Sequence, residues 1–121
     1  MRKRILVVED QEDNRCIVRD LLTSVGYEIV EAVTGEDGVR MAETHVPDLI
    51  LMDIQLPGLD GYEATRRIKG HAALRQIPII AVTSYALSGD DARAFEAGCD
   101  AYVSKPFSPR ALLAKIREFL P

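Results

Sequence analysis

Polar side chains able to take part in phosphoryl transfer follow four apolar runs of this sequence. Glu9 and Asp10 follow the first run, Asp53 follows another, Thr83 a third, and Lys105 comes shortly after a fourth. If these runs are parallel strands, their carboxyl ends meet at one edge of a sheet, where ligands of open α/β sheets bind. Three carboxylates, a hydroxyl and an ammonium gathered there would provide hard oxygen ligands for a cation, a nucleophile and hydrogen-bond donors for a phosphoryl group. The sequence therefore predicts a site for metal-assisted phosphoryl transfer.

Strand-like and helix-like segments alternate along the whole chain, and these segments must position the site. The predicted strands are 4–9, 27–33, 48–53, 77–82 and 101–103. Each is followed by a helical pattern, which gives five βα units and is typical of a parallel sheet covered on both faces by helices. The third strand is apolar on both faces and is predicted to be central. The second carries Glu28 and Glu31 among apolar residues, which favours a sheet edge.

Capping residues predict where the helices begin and end. Asp60 precedes the third helix and Ser108 precedes the fifth, while two capping-box spacings open the second and fourth helices at Thr34 and Ser88. Gly26 and Gly98 are typical helix stops. The apolar residues of the first helix, predicted to form one buried face, are Ile17, Val18, Leu21, Leu22 and Val25. Phe95 and Phe119 are interpreted as core residues of the fourth and fifth helices.

Length and composition limit the classes of protein to which the chain can belong. Its 121 residues fit one domain, 1–121, and 47% hydrophobic with 28% charged residues is ordinary for a globular protein. No apolar run is long enough to cross a bilayer and no signal peptide is recognisable, so we expect a cytoplasmic protein without a membrane association. A net charge of -4 argues against direct DNA binding. Cys16 and Cys99 lack metal-ligand spacing and are interpreted as reduced, mostly buried thiols, with a redox role as the alternative.

Four motifs of the chain together resemble the receiver domain of two-component response regulators. They are Glu9-Asp10, the segment 53–61 beginning at Asp53, Thr83-Ser84 and Lys105-Pro106-Phe107. Each motif alone is weak, but four of them in register at successive strand ends are specific. The resemblance covers essentially the whole chain and is nearest to stand-alone regulators of the DivK type and to receivers attached to hybrid kinases. It implies a single-domain flavodoxin-like (βα)5 three-layer sandwich with the parallel strand order 2-1-3-4-5.

The resemblance also implies a role for the acidic residues. Asp53 would accept a phosphoryl group from a phosphohistidine donor, and the protein would assist both that transfer and its own dephosphorylation. Glu9 and Asp10, with Asp53, present oxygen ligands suited to Mg²⁺. The main-chain carbonyl of Gln55 would complete the metal ligands. The donor would be a histidine kinase or a histidine phosphotransfer protein.

The remaining motif residues would convert phosphorylation into a conformational response. Lys105 would pair with a phosphoryl oxygen, and Thr83 would donate its hydroxyl to another. Tyr102 occupies the position of the family's switch aromatic and would change rotamer as Thr83 moves. The surface formed by the fourth helix, fifth strand and fifth helix would then bind a downstream protein target.

Three other functions fit the sequence less well. A phosphatase with an aspartyl nucleophile would place that nucleophile after the first strand with a second acid two residues on, a spacing that Asp10 and Glu12 meet only loosely. A nucleotide- or flavin-binding module would have a Gly-rich first loop, whereas residues 9–12 are acidic or amide side chains that would repel a phosphate. A receiver that binds partners without phosphorylation would not need the intact acidic set.

Overall fold

A five-stranded parallel sheet forms the middle layer of the protein. The computed structural model describes residues 2–56, 58–83, 90–104 and 108–120. The strands are β1 (Arg4–Val8), β2 (Glu28–Ala32), β3 (Leu49–Asp53), β4 (Ile79–Thr83) and β5 (Ala101–Ser104). The helices are α1 (Glu12–Ser24), α2 (Gly35–His45), α3 (Gly61–Gly70), α4 (Asp90–Ala97) and α5 (Pro109–Phe119), with a short 3₁₀ turn at Ala72–Leu74. The strands pair in parallel in the order β2-β1-β3-β4-β5, which confirms the predicted fold and strand order.

Alternation along the strands divides the core into two layers, because successive side chains of a strand point to opposite faces. On one face, Ile5 and Val7 of β1 pack in a cluster with Leu22 of α1 and Ile116 of α5. On the other, Leu6 and Val8 belong to a cluster whose members in α2, α3 and α4 are Ala42, Tyr62, Ala64, Ile68, Ala94 and Ala97. Both faces of β3 are buried, as predicted for a central strand. The sheet is thus held between α1 and α5 on one side and α2, α3 and α4 on the other.

Three of the predicted helix caps are present. The Thr34 hydroxyl accepts a hydrogen bond from the Asp37 N–H (3.0 Å), the Asp60 carboxylate accepts from the Glu63 N–H (2.9 Å), and the Ser108 hydroxyl accepts from the Ala111 N–H (3.0 Å). Each cap satisfies a donor that the first turn of a helix leaves without an intrahelical partner. Ser88, the fourth predicted cap, lies outside the described residues.

Three predictions of burial were wrong. Ile17 of α1 is 63% exposed, Val25 at the end of α1 is 41% exposed, and Phe95 of α4 is 52% exposed. Adjacent helical residues lie about 100° apart, so a helix that buries Val18 turns Ile17 away from the sheet.

Several strand ends differ from the predicted ones. β4 begins at Ile79 rather than 77, after Pro78, which has no N–H to donate to a neighbouring strand. β1 ends at Val8 instead of 9, and β2 is one residue shorter at each end than predicted.

Within the described part of the chain, none of the helices combines the length and the apolar character that crossing a bilayer would need.

The first residue of α3 packs directly against the end of β3, and this contact generates a prediction. A Cβ atom added at Gly61 would overlap the Asp53 carbonyl oxygen and lie 2.6 Å from the Ile54 Cα, whereas one added at Gly70 would meet nothing within 4 Å. We therefore expect Gly61→Ala to lower the free energy of unfolding by about 1–3 kcal/mol through overpacking. Gly70→Ala, at the other end of the same helix, should be neutral or stabilising by up to about 1 kcal/mol. Urea unfolding measures both, and equal effects would contradict the packing argument.

The two cysteines differ in burial, and Cys99 gives a second prediction. Cys99 is buried with its sulfur 3.7 Å from the Thr65 hydroxyl, whereas Cys16 is only partly buried. Burial raises the pKa of the Cys99 thiol from the ordinary 9.0 to about 11. Since the folded state favours the neutral thiol, this group's contribution to stability is complete below pH 9.0 and is lost as the pH rises towards about 11.

Alkylation tests whether the Cys99 thiol is buried and protonated in the folded protein. At pH 8 the Cys99 thiol of the folded protein is protonated and buried, so in a Cys16→Ser variant iodoacetamide should alkylate it only in unfolded molecules. Adding urea should accelerate it in parallel with the loss of circular dichroism. Rapid alkylation of the native variant would show that the thiol is accessible.

Candidate functional site

Three carboxylates meet where β1 and β3 end. Glu9 and Asp10 directly follow β1, and Asp53 is the last residue of β3, which pairs with β1. Each of the three residues offers one carboxylate oxygen, and these oxygens all lie within 4.8 Å of one another. Glu9 is 5% exposed and Asp53 is 4% exposed, so two of the acids lie in the protein interior. The structure thus brings together the three acidic residues that the sequence predicted to be neighbours.

Gln55 connects Asp53 to Thr83. Its main-chain N–H donates to Asp53 Oδ1 (3.1 Å), and its side-chain amide Nε2 donates to Thr83 Oγ1 (3.2 Å). Thr83 is the buried last residue of β4, the strand beside β3. When its oxygen accepts a hydrogen bond from an amide, the hydroxyl proton is directed elsewhere and can be donated to a further group. The family resemblance implied a metal-ligand role for the main-chain carbonyl of Gln55, but the contact between its side chain and Thr83 was not predicted.

The loop between β3 and α3 is held by α2. Glu36 Oε1 accepts a hydrogen bond from the main-chain N–H of Leu59 (2.9 Å). A Cβ atom added at Gly35 would lie 3.1 Å from the Leu59 Cβ, so the start of α2 closely approaches this loop. The interaction lies between residues far apart in sequence, and in the sequence Glu36 has only the pattern of a helix-start acid. No local signal distinguishes it.

Of the remaining predicted site residues, the structure describes Tyr102. Tyr102 is in β5, paired with Ala81, and is partly buried against the core layer that includes Ala81. Thr83 pairs with Ser104, so β5 ends level with the hydroxyl of Thr83. Lys105, with Pro106 and Phe107, lies outside the described residues.

The donor set of the acidic cluster is that of a hard divalent cation. Carboxylate oxygens are the ligands that Mg²⁺ and Ca²⁺ prefer, and the described cluster offers no sulfur or imidazole ligand of the kind that selects zinc. Without a cation, carboxylates this close repel one another. The arrangement can therefore bind a divalent ion and, beside it, a group that carries negative charge.

A protein-family model matches nearly the whole chain. Residues 5–117 match the model of the response regulator receiver domain.

Individual relatives agree with this match. The polar-differentiation response regulator DivK of Brucella ovis is 44% identical over 120 residues, which cover 99% of this chain and 98% of that protein. The receiver domain of the sensor histidine kinase PA1611 from Pseudomonas aeruginosa PAO1 is 39% identical and superposes with a TM-score of 0.92, covering 99% of this chain and 98% of that one. Its crystal structure has a magnesium ion coordinated in the active site cleft. The chemotaxis protein CheY4 of Vibrio cholerae, at 24% identity and a TM-score of 0.93, covers 98% of this chain and 99% of its own and shows the same fold.

Proposed function

The chain belongs to the response regulator receiver domain family, and on that basis we propose that it is a phospho-accepting protein of a two-component phosphorelay, with residues 1–121 forming one receiver domain. The observation that carries this proposal is the acidic cluster, in which oxygens of Glu9, Asp10 and Asp53 lie within 4.8 Å of one another at the end of the two adjacent strands. A carboxylate of this kind needs positioning and charge compensation more than activation by a base.

Asp53 is the proposed phosphoryl acceptor. One of its carboxylate oxygens forms a bond to phosphorus while the bond from phosphorus to the imidazole nitrogen of a phosphohistidine breaks, and the electron pair of that bond stays with the imidazole. The product is an aspartyl phosphate, and attack of water on its phosphorus restores the carboxylate and releases inorganic phosphate. The N–H of Gln55 on Asp53 Oδ1 orients the carboxylate before the donor arrives.

Glu9, Asp10 and Asp53, with the main-chain carbonyl of Gln55, are the proposed Mg²⁺ ligands. The magnesium in the active site cleft of the PA1611 receiver supports this assignment, as does the all-oxygen donor set of the cluster. When bound, the ion would offset the negative charge of the acids and of the phosphoryl group, so that an anionic donor can approach an anionic site. The buried Glu9 would contribute its charge to the ion without facing solvent.

Thr83 and Tyr102 are the proposed response elements, and Lys105 is the proposed cation for the phosphoryl group. With Gln55 donating to its oxygen, the Thr83 hydroxyl can donate its proton to a phosphoryl oxygen on Asp53. That bond exists only in the phosphorylated protein, and such a differential interaction is what shifts a conformational equilibrium. Tyr102, on the adjacent strand, would follow the movement of Thr83.

The proposed partners follow from this chemistry. A histidine kinase or a histidine phosphotransfer protein would supply the phosphoryl group. A downstream protein would recognise the altered surface of α4, β5 and α5. The relative DivK of Brucella ovis, 98% of which is covered by the match, is itself called a response regulator.

Phosphorylation by a small donor tests the acceptor. Incubation with Mg²⁺ and acetyl phosphate should add one phosphoryl group, detected by intact mass, and hydroxylamine should remove it because an acyl phosphate is the product. Asp53→Asn, which keeps the shape of the side chain but not the nucleophile, should acquire none. Asp10→Asn is the matched control: it retains the acceptor but loses a metal ligand, so it should be phosphorylated more slowly and should recover at higher Mg²⁺. Phosphorylation of Asp53→Asn to the wild-type level, or turnover of a phosphate ester without a covalent adduct, would refute the proposal.

The role of Thr83 is tested by separating phosphorylation from the response. Thr83→Ala should still accept a phosphoryl group but should lose the NMR chemical-shift changes that phosphorylation causes in α4, β5 and α5, because no hydroxyl reaches the phosphoryl oxygen. Thr83→Ser keeps the hydroxyl and should retain most of these changes. Identical phosphorylation-dependent shifts in Thr83→Ala and the wild type would contradict the assignment.

A further inference from the structure

The main-chain N–H and carbonyl of Glu9 both form hydrogen bonds with residues outside the acidic cluster. Its N–H donates to the carbonyl of Ala32 (3.0 Å), and its carbonyl accepts from Nη1 of Arg15 (3.0 Å). The Nε of the same guanidinium donates to Glu31 Oε1 (3.1 Å). We call Arg15 and Glu31 with these contacts the Glu9 clamp.

The clamp connects three elements that are separate in sequence. Arg15 lies in the first turns of α1, where its N–H donates to the carbonyl of Gln11 (2.9 Å), and its side chain reaches back to the end of β1. Glu31 and Ala32 lie on β2, the edge strand that pairs with β1. One strand therefore supplies both a direct hydrogen bond to Glu9 and the carboxylate that orients Arg15.

Arg15 is suited to this role by its shape. A guanidinium presents several N–H donors in a rigid plane, so one side chain can bind a carbonyl and a carboxylate at the same time in a fixed geometry. The Arg15 side chain is 16% exposed, which separates it from the surface ion pairs that contribute little. Arg19, one turn later, is 40% exposed and approaches Glu31 only to 3.7 Å.

The proposed metal site needs such an anchor. Mutual repulsion of Glu9, Asp10 and Asp53 favours their separation, and Glu9 belongs to a loop that follows a strand rather than to the strand itself. The hydrogen bonds of the Glu9 N–H and of the Glu9 carbonyl oppose that displacement, and neither of them uses the Glu9 carboxylate.

We propose that Arg15 is a positioning residue for divalent-cation binding, which holds Glu9 within the acidic cluster through its main-chain carbonyl and is itself oriented by Glu31 of the edge strand. This inference rests on the proposed function. Residues that orient metal ligands typically contribute ten- to a hundredfold to metal affinity, and we expect about tenfold here.

Whether Arg15→Ala strengthens or weakens Mg²⁺ binding distinguishes a positioning role from a simple electrostatic one. Removing a cation near three carboxylates should, by Coulomb's law alone, make Mg²⁺ bind more tightly. Loss of positioning should make it bind more weakly. Arg19→Ala is the matched control, since it removes the same charge from the same helix and also loses a contact with Glu31 but does not contact Glu9.

The first measurement is the Mg²⁺ dissociation constant, taken from amide chemical shifts in an NMR titration of the unphosphorylated protein. We expect Arg15→Ala to raise it about tenfold and Arg19→Ala to leave it unchanged or lower it slightly. Arg15→Lys keeps the charge but not the planar fork, so it should restore the affinity only in part. Glu31→Ala should weaken binding in the wild-type background and have no such effect in the Arg15→Ala background, because its effect passes through Arg15.

The second measurement requires no metal. In Mg²⁺-free buffer the Glu9 amide should exchange its hydrogen faster in Arg15→Ala than in Arg19→Ala, while the amides in the middle of β3 should be protected equally in both. Urea unfolding of each variant shows whether it is folded. If Arg15→Ala does not fold, Arg15→Lys and Glu31→Ala provide both measurements.

The outcomes separate this inference from the proposed function. Unchanged or tighter Mg²⁺ binding in Arg15→Ala, with wild-type exchange at Glu9, would overturn the positioning role while leaving the metal site intact. If the wild type shows no saturable Mg²⁺ binding, the proposed metal site fails instead, and the inference fails with it.

Discussion

The main constraint on this structure is the mutual repulsion of the carboxylates gathered at the ends of β1 and β3. Two unit charges about 4 Å apart repel by roughly 4 kcal/mol at an effective dielectric constant near 20, and burial adds a desolvation penalty. Glu9 and Asp53 are buried with oxygens within 4.8 Å of each other and of Asp10. Among the described residues, hydrogen bonds help to fix the residues that carry this charge: the Gln55 N–H donates to Asp53, and the Ala32 carbonyl and the Arg15 guanidinium bind the main chain of Glu9. The parallel doubly wound sheet makes the arrangement possible by bringing the two strand ends side by side.

How far sequence reasoning reaches depends on whether a residue's role is set by its neighbours along the chain. Thr34, Asp60 and Ser108 were predicted correctly as caps because a cap is a local interaction, and Asp53 was placed at a strand end by the apolar run before it. The burial of Ile17, Val25 and Phe95 was predicted wrongly, because periodicity indicates which positions are apolar but not how wide a stripe the sheet can cover. Arg15 and Glu36 were missed for a different reason. Each binds a main-chain group that only the folded chain brings near, and a charged residue near the start of a helix gives no sign of such a partner.

Gln55 directly connects the proposed acceptor, Asp53, to the proposed response element, Thr83. A single residue contacts the Asp53 carboxylate through its main chain and the Thr83 hydroxyl through its side chain. In the proposed function a change in charge at Asp53 therefore has no packed core to cross before it reaches β4. From Thr83 the next strand is β5, where Ser104 lies opposite Thr83 and Tyr102 lies opposite Ala81, so the proposed response begins on the strand beside the one that carries Thr83.

The free energy of one hydrogen bond limits how far phosphorylation could shift the conformational equilibrium through Thr83. Moving a two-state equilibrium from 1:99 to 99:1 requires about 5.5 kcal/mol of differential interaction. A hydrogen bond to a charged group contributes roughly 1.5–3 kcal/mol, so the bond from Thr83 to a phosphoryl oxygen would shift the ratio by roughly ten- to a hundredfold. Thr83 alone therefore cannot drive a complete change of state in a protein whose unphosphorylated form is strongly inactive. Either a second contact present only in the phosphorylated protein, the role proposed for Lys105, supplies the rest, or the unphosphorylated protein already populates its responsive state to an appreciable extent.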